Sequence, residues 1–215
     1  MSGRRLPAWW GAGLAACALA GSGLAGVRSP AATAATASGA TTAEPRARPS
    51  ALSRELDRAQ ALLLVRLASL PEGSDVLILR EPERLTLRIP ARLLFEFDSA
   101  RLRQDPAAAT PLAASVQVLR KHRRLHAQIM VYTDSIGGAS VNQSQSDQRA
   151  QAISGALSAA GVASDRLQPH GAGAASPVAS NDAPAGRIEN RRIEIEFRRA
   201  ERAGNDLKPG PAAAP

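Results

Sequence analysis

Ile129-Met130-Val131-Tyr132-Thr133-Asp134-Ser135-Ile136-Gly137-Gly138 passes from an apolar run into a polar, glycine-bearing turn. The first four residues read as a strand, and the two glycines let the chain reverse after it. Downstream, Ala150, Ile153 and Leu157 recur at helical spacing, and Gly161 ends that helix. Leu167 to His170 is a short strand, and Arg192-Ile193-Glu194-Ile195-Glu196-Phe197 alternates strictly, as a half-buried strand does. Upstream, Leu112, Val116 and Leu119 mark another helix. Leu93-Leu94-Phe95-Glu96-Phe97 reads as a strand ending at Asp98, and Val76–Leu79 with Leu85–Ile89 reads as a hairpin. From Leu85 onward the order is β-α-β-α-β, which predicts an α/β (α+β) sandwich with helices on one face of a mixed sheet. All three Phe and the single Tyr fall inside it and are expected in its core.

The chain has 215 residues, of which 44% are hydrophobic, 21% charged and 3% aromatic. One domain with appendages fits that length. A single cysteine excludes a disulfide scaffold and any multi-Cys zinc site, and no metal or other cofactor is expected. A net charge of +8 favours an anionic partner without choosing among nucleic acid, an acidic membrane surface and an acidic polymer.

The ends do not read as domain. Arg4-Arg5 precedes a stretch from Leu6 to Val27 that carries no charge, the pattern of an export signal. Within it, Leu14-Ala15-Ala16-Cys17 resembles the bacterial lipobox, which implies lipidation of Cys17 after removal of residues 1–16. An uncleaved anchor, and ordinary cleavage near Ala20–Ala25, remain open alternatives. Ala18, where Asp would be the retention signal, implies the periplasmic face of the outer membrane, with inner-membrane anchoring as the alternative. Residues 17–50 are then a lipid-anchored linker rich in Ala, Thr, Ser, Pro and Gly, and residues 201–215 a disordered tail. Residues 51–72 form an amphipathic helix with Leu52, Leu56, Ala59, Leu63 and Leu67 on one side, packed on the domain or on a partner helix. Residues 75–200 are the domain.

Asp134 leaves its strand 15 residues before Arg149, which falls in the first turns of the next helix, with Asn142 to Ser146 available to cap it. A carboxylate and a guanidinium converging over one loop suit a zwitterion: Asp134 for an ammonium, Arg149 for a carboxylate. The spacing equally allows Asp134 to brace a turn while Arg149 makes a surface ion pair.

Several further segments occur in order: Phe95-Glu96-Phe97-Asp98-Ser99-Ala100, Thr133-Asp134-Ser135-x-Gly137, Asn142, Arg149-Ala150, Gly171-x-Gly173, Gly186-Arg187 and Asn190-Arg191-Arg192-Ile193-Glu194-Ile195. Together they resemble the OmpA-like C-terminal, peptidoglycan-binding domain, over roughly residues 85–198. With the lipobox and linker, the layout is similar to peptidoglycan-associated lipoproteins. The resemblance implies non-covalent binding of the diaminopimelate of the stem peptide, tethering outer membrane to cell wall. At matching positions, Asp134 would take the amino group and Arg149 the carboxylate, with Thr133 and Asn142 lining the pocket. Asp98, Arg191 and Arg192 would be secondary contacts. The chain departs from the family at Val131-Tyr132 (usually Gly-His), at Gln145 (usually Leu) and at Ala174 (usually acidic).

The basic run Arg120–Arg124 suits a helix C-terminus, and without interleaved aromatics it does not suggest nucleic acid. No nucleophile–base–orienter set assembles, so no enzyme activity is expected. The alternative to a wall tether is an envelope-complex assembly protein that associates with envelope partners through the 51–72 helix.

Overall fold

The computed structural model describes residues 49–200. The signal, Cys17, nearly all of the linker and the 201–215 tail lie outside the described residues. Ser50 opens helix α1 (Ala51–Leu67) by accepting the Ser53 N–H at 3.0 Å on its Oγ, which satisfies one of the free amides of the first turn. Leu56, Ala59 and Leu63 of α1 are fully buried in the same core as the sheet. Strands β1 (Leu77–Arg80) and β2 (Arg84–Pro90) form the antiparallel hairpin.

The run 93–97 is not a strand. Pro90 leaves β2 and the chain makes a single helical turn, α2 (Ala91–Leu94), before Phe95 meets Leu102 in an isolated bridge. Asp98 therefore sits in a loop with φ +47°, not at a strand end. Leu94 and Phe95 are buried by this turn, but Phe97 is thrown outward and is 100% exposed, against the expectation that all three Phe lie in the core.

Helix α3 (Pro106–Lys121) starts on Asp105, whose Oδ1 accepts the Ala108 N–H at 3.0 Å, with Pro106 at a position that needs no amide bond. Strand β3 (Leu125–Tyr132), helix α4 (Ala139–Ala159) and strand β4 (Leu167–Gly173) make a parallel crossover. Helix α5 (Pro184–Asn190), absent from the sequence reading, leads into strand β5 (Arg192–Arg199). The sheet order is β1-β2-β5-β3-β4, antiparallel except for β3–β4.

Alternation then divides the two faces. Leu85, Leu87, Ile89, Leu125, Ile129, Val131, Ile193, Ile195 and Phe197 point into the core, which α1, α3 and α4 cover. On the opposite face Arg88 pairs with Glu194 at 3.0 Å directly across the β2–β5 ladder, and Arg84 reaches Glu196 on the diagonal at 3.5 Å.

The end of α3 is satisfied by a residue outside the basic run. The Arg166 guanidinium donates to the carbonyls of Leu119 (2.9 Å), His122 (3.0 Å) and Leu125 (3.1 Å), so the cation complementing this C-terminus comes from the loop before β4. Beside it His122 is buried. Its Nδ1 stands 3.7 Å from Glu55 of α1, and among the described residues its Nε2 has no hydrogen-bond partner. Burial holds this imidazole below the usual value of 6.5, Lys121 and Arg58 add to that, and Glu55 opposes it. The unfolded chain thus binds a proton at higher pH than the fold does, and stability falls as pH drops below about 6.5 toward the lowered folded value. A urea-unfolding series from pH 7.5 to 5 is expected to show this decline, and His122→Gln to flatten it.

Candidate functional site

The turn after β3 is built around one carbonyl. Asp134 O accepts the Thr133 hydroxyl at 2.9 Å and the Asn142 amide at 3.1 Å. Thr133 and Asn142 are both buried, and these bonds occupy their side chains in holding Asp134. Gly137 (φ +103°) and Gly138 (φ +82°) then turn the chain through a region that side chains avoid. Helix α4 begins there, with Gly138 as its N-cap and no side-chain cap. The helix thus starts before the residues read as its caps, and Arg149 lies in its third turn.

Helix α4 is sewn to β4 by polar side chains. Gln143 donates to Gly171 O at 2.6 Å, Asp147 Oδ1 accepts the Gly171 N–H at 3.0 Å, and Ser146 Oγ accepts the Gly173 N–H at 3.0 Å. Gly171 permits this approach, because a Cβ there would overlap the Asp147 backbone nitrogen and Oδ1 and lie 2.5 Å from Ser146 Oγ. Thr133 N–H donates to Gly173 O at 2.8 Å, so the Asp134 turn is tied to the same strand end.

Asp134 is 7% exposed. Its Oδ1 accepts the Ile136 N–H at 3.0 Å, and its Oδ2 is paired with Arg191 Nη1. Arg149 is 5% exposed; its Nε donates to Ser99 O at 2.8 Å and its guanidinium carbon lies 5.2 Å from the centre of the Phe95 ring. No hydrogen bond engages its Nη atoms among the described residues. Burial lowers the Arg149 pKa, the Asp98 charge opposes that, and Arg191 adds to it. Asp98 Oδ1 in turn accepts the Gln145 amide at 2.9 Å. The four charges form a row, Asp98, Arg149, Arg191, Asp134: two cations between two anions, neutral in sum and presenting both signs.

Arg192 does not join it. Arg191 and Arg192 diverge as β5 begins, as successive residues do in extended chain. Arg192 Nε donates to Glu194 at 2.9 Å and Nη2 to Ser176 O at 3.0 Å, and its guanidinium stacks 3.7 Å from the Tyr132 ring centre. Tyr132 therefore serves as the platform for Arg192 on the sheet face opposite the core. Sequence reasoning left out Gln145 as a partner of Asp98, although its place four residues before Arg149 puts the two on one side of α4. It also left out Phe95 beneath Arg149. Beside the row, Asp98, Val141, Ser144, Gln145 and Gln148 line an open cleft of about 430 Å³.

Comparison with known proteins adds three relatives and one family. The OmpA family model matches residues 94–191. Probable lipoprotein YiaD from Escherichia coli (strain K12) is 36% identical over 123 residues, 57% of this chain and 55% of YiaD. The chain thus spans about half the length of that relative. Peptidoglycan-binding protein ArfA from Mycobacterium tuberculosis (strain ATCC 25618 / H37Rv) is 45% identical over 64 residues, 30% of this chain and 20% of ArfA. Among solved structures, the cell wall anchor of the T6SS from Pseudomonas aeruginosa is 26% identical with a TM-score of 0.55, covering 64% of this chain and 97% of that one.

Proposed function

Residues 94–191 belong to the OmpA family, and on that basis we propose that this protein binds peptidoglycan non-covalently and tethers the cell envelope to it. The observation that carries the reading is the neutral row of four charges, in which Arg149 keeps its Nη donors unengaged. Diaminopimelate carries an ammonium and a carboxylate on one carbon. Arg149 grips the carboxylate with two parallel N–H bonds. The ammonium replaces Arg191 on Asp134; the Arg191 side chain is 42% exposed and is free to withdraw. Thr133 and Asn142 position Asp134 and do not themselves touch the ligand. ArfA is named for peptidoglycan binding and the T6SS component for anchoring to the cell wall, which supports the same reading.

The test is co-sedimentation of the full chain, in mild detergent, with diaminopimelate-type sacculi. Wild type is expected in the pellet, and Asp134→Ala to weaken binding about 10-fold or more by removing one charge-assisted contact. Equal pelleting of the two proteins overturns the reading.

We infer that the domain lies in the periplasm, held by lipid on Cys17 at the outer membrane. The resemblance of Leu14–Cys17 to a lipobox and the lipoprotein name of YiaD support this. The mass of the mature N-terminus checks it: a diacylated Cys17 is expected, and an intact Met1 would point to an uncleaved anchor. The part is that of a binder rather than an enzyme. The assembly alternative asked α1 to recruit a partner, but its Leu56, Ala59 and Leu63 face is spent on the protein's own core.

A further inference from the structure

The basic run Arg120–Arg124 is not used up by the fold. Arg166 already satisfies the last carbonyls of α3, and Arg120 turns aside to donate to Ala160 O at 3.0 Å, at the end of α4. Lys121, Arg123 and Arg124 are left exposed, and Arg58 of α1 is exposed close by. Among the described residues no ion pair engages any of these four. Their charge is felt inside the domain: after burial, Lys121 and Arg58 hold the His122 pKa down, and Arg123 does the same to Arg166. The carboxylates at this end are committed elsewhere. Glu55 is shared between His122 at 3.7 Å and Arg199 at 3.5 Å, and Asp165 acts on Arg166. Four exposed cations gathered without an anion to answer them repel one another, and that is the feature to explain.

The same end of the domain is where the chain enters it. Arg80 closes β1 and donates to Ser53 O and Asp57 Oδ1 of α1, both at 3.0 Å. Leu125 opens β3 beside Arg199, the last residue of β5. The start of α1, and with it Pro49, thus lies at the pole of the sheet that carries the basic run. Asp134 follows the last residue of β3, so the wall site lies at the other pole, roughly 25 Å away at about 3.3 Å per strand residue. We propose that the basic pole rests on the anionic phospholipid headgroups of the membrane that holds the chain, with the wall site facing away from it. Lipid phosphates supply the anions that the fold lacks, and each basic side chain held near an acidic leaflet strengthens the contact roughly fivefold. Leu125, the one apolar residue between Arg120 and His126, is fully buried, so the contact is with headgroups and not with hydrocarbon. An acidic polymer carries the same charge, but a membrane is what the N-terminal segment brings to this pole. The inference rests on the reading that this segment holds the chain to a membrane.

Lys121 is the only lysine among the described residues, so its amine reports on this pole without a label. The full chain is placed in vesicles of phosphatidylcholine alone, or of equal parts phosphatidylcholine and phosphatidylglycerol. Acetylation of Lys121 by an N-hydroxysuccinimide ester is then followed by peptide mass spectrometry. The reaction is expected to be about fivefold or more slower on the acidic vesicles. The slowing is expected to vanish at about 1 M NaCl, where charges are screened beyond about 3 Å. Arg123→Gln combined with Arg124→Gln, both exposed and remote from the wall site, is expected to restore fast acetylation and leave sacculus pelleting unchanged. Equal rates on the two vesicle types overturn the proposal, as does slowing that survives the salt or the double variant. Protection of Lys121 by sacculi that the double variant abolishes assigns the pole to an acidic wall polymer and overturns it too. A chain retained only by acidic vesicles overturns the anchor and leaves the basic pole standing; a chain retained by neither overturns both.

Discussion

Arg149→Met is expected to lower affinity for diaminopimelate-type sacculi roughly 100-fold. Two charge-assisted hydrogen bonds to a carboxylate, at about 1.5 kcal/mol each, sum to about 3 kcal/mol, and each 1.4 kcal/mol is tenfold. Methionine is chosen because it keeps an unbranched, polarisable chain over Phe95, which Arg149 now covers at 5.2 Å. It removes the bond to Ser99 O as well as the ligand contacts, so the 95–101 loop loosens and a modest drop in melting temperature accompanies the loss. Arg149→Lys separates charge from geometry. A point ammonium cannot donate to Ser99 and grip a carboxylate with two parallel bonds at once, so lysine is expected to recover less than a tenth of the lost affinity. The measurement is depletion of protein from solution over a sacculus titration, with thermal melts alongside. Wild-type affinity in the lysine variant would show that charge alone suffices and would remove the two-bond grip.

Gly171→Val is expected to destabilise the domain by about 4 kcal/mol or more. The clash is with the Asp147 backbone nitrogen, fixed within α4, and with the Asp147 carboxylate and Ser146 Oγ, which are held by their own bonds to Gly171 and Gly173. None is the far end of a flexible side chain, so α4 must move off β4. With an m-value near 2 kcal/mol/M, the urea midpoint falls by roughly 2 M. Wall binding falls with it, since the same helix carries Arg149. Gly155, in the middle of α4 with open space around its Cβ position, is the control. Gly155→Ala is expected to raise stability by about 0.5–1 kcal/mol through helix propensity. If both substitutions behaved alike, close packing of α4 on β4 would not be the cause.

Much of this was readable from residue order because its causes are local. Period-two alternation in Ile193-Glu194-Ile195-Glu196-Phe197, and helical spacing in Leu56, Ala59 and Leu63, report which side of each element is apolar and must be buried. Asp134 could be picked out because it follows a strand whose end was located, and Arg149 because it lies on the helix that comes next. The run Leu93–Phe97 misled because it is apolar throughout, so alternation could not tell a strand from one helical turn followed by an outward bend at Phe97. The start of α4 was misplaced because Gly138 caps it with backbone geometry alone, and Asn142, which looks like a cap, is spent on Asp134 O.

Residue order alone gives the mixed α/β sandwich and the family signature, and it offers Asp134 and Arg149 as candidate charges, all of which follow from short-range pattern. Folding in three dimensions settles who those charges meet. Arg191 rather than Arg192 reaches Asp134, Gln145 rather than solvent holds Asp98, and Tyr132 supports Arg192 on the far face. Those outcomes depend on the register of β5 and on how closely Gly171 lets α4 approach β4. A separation of a few ångströms between segments remote in sequence brings four ordinary ionic side chains together into one neutral group.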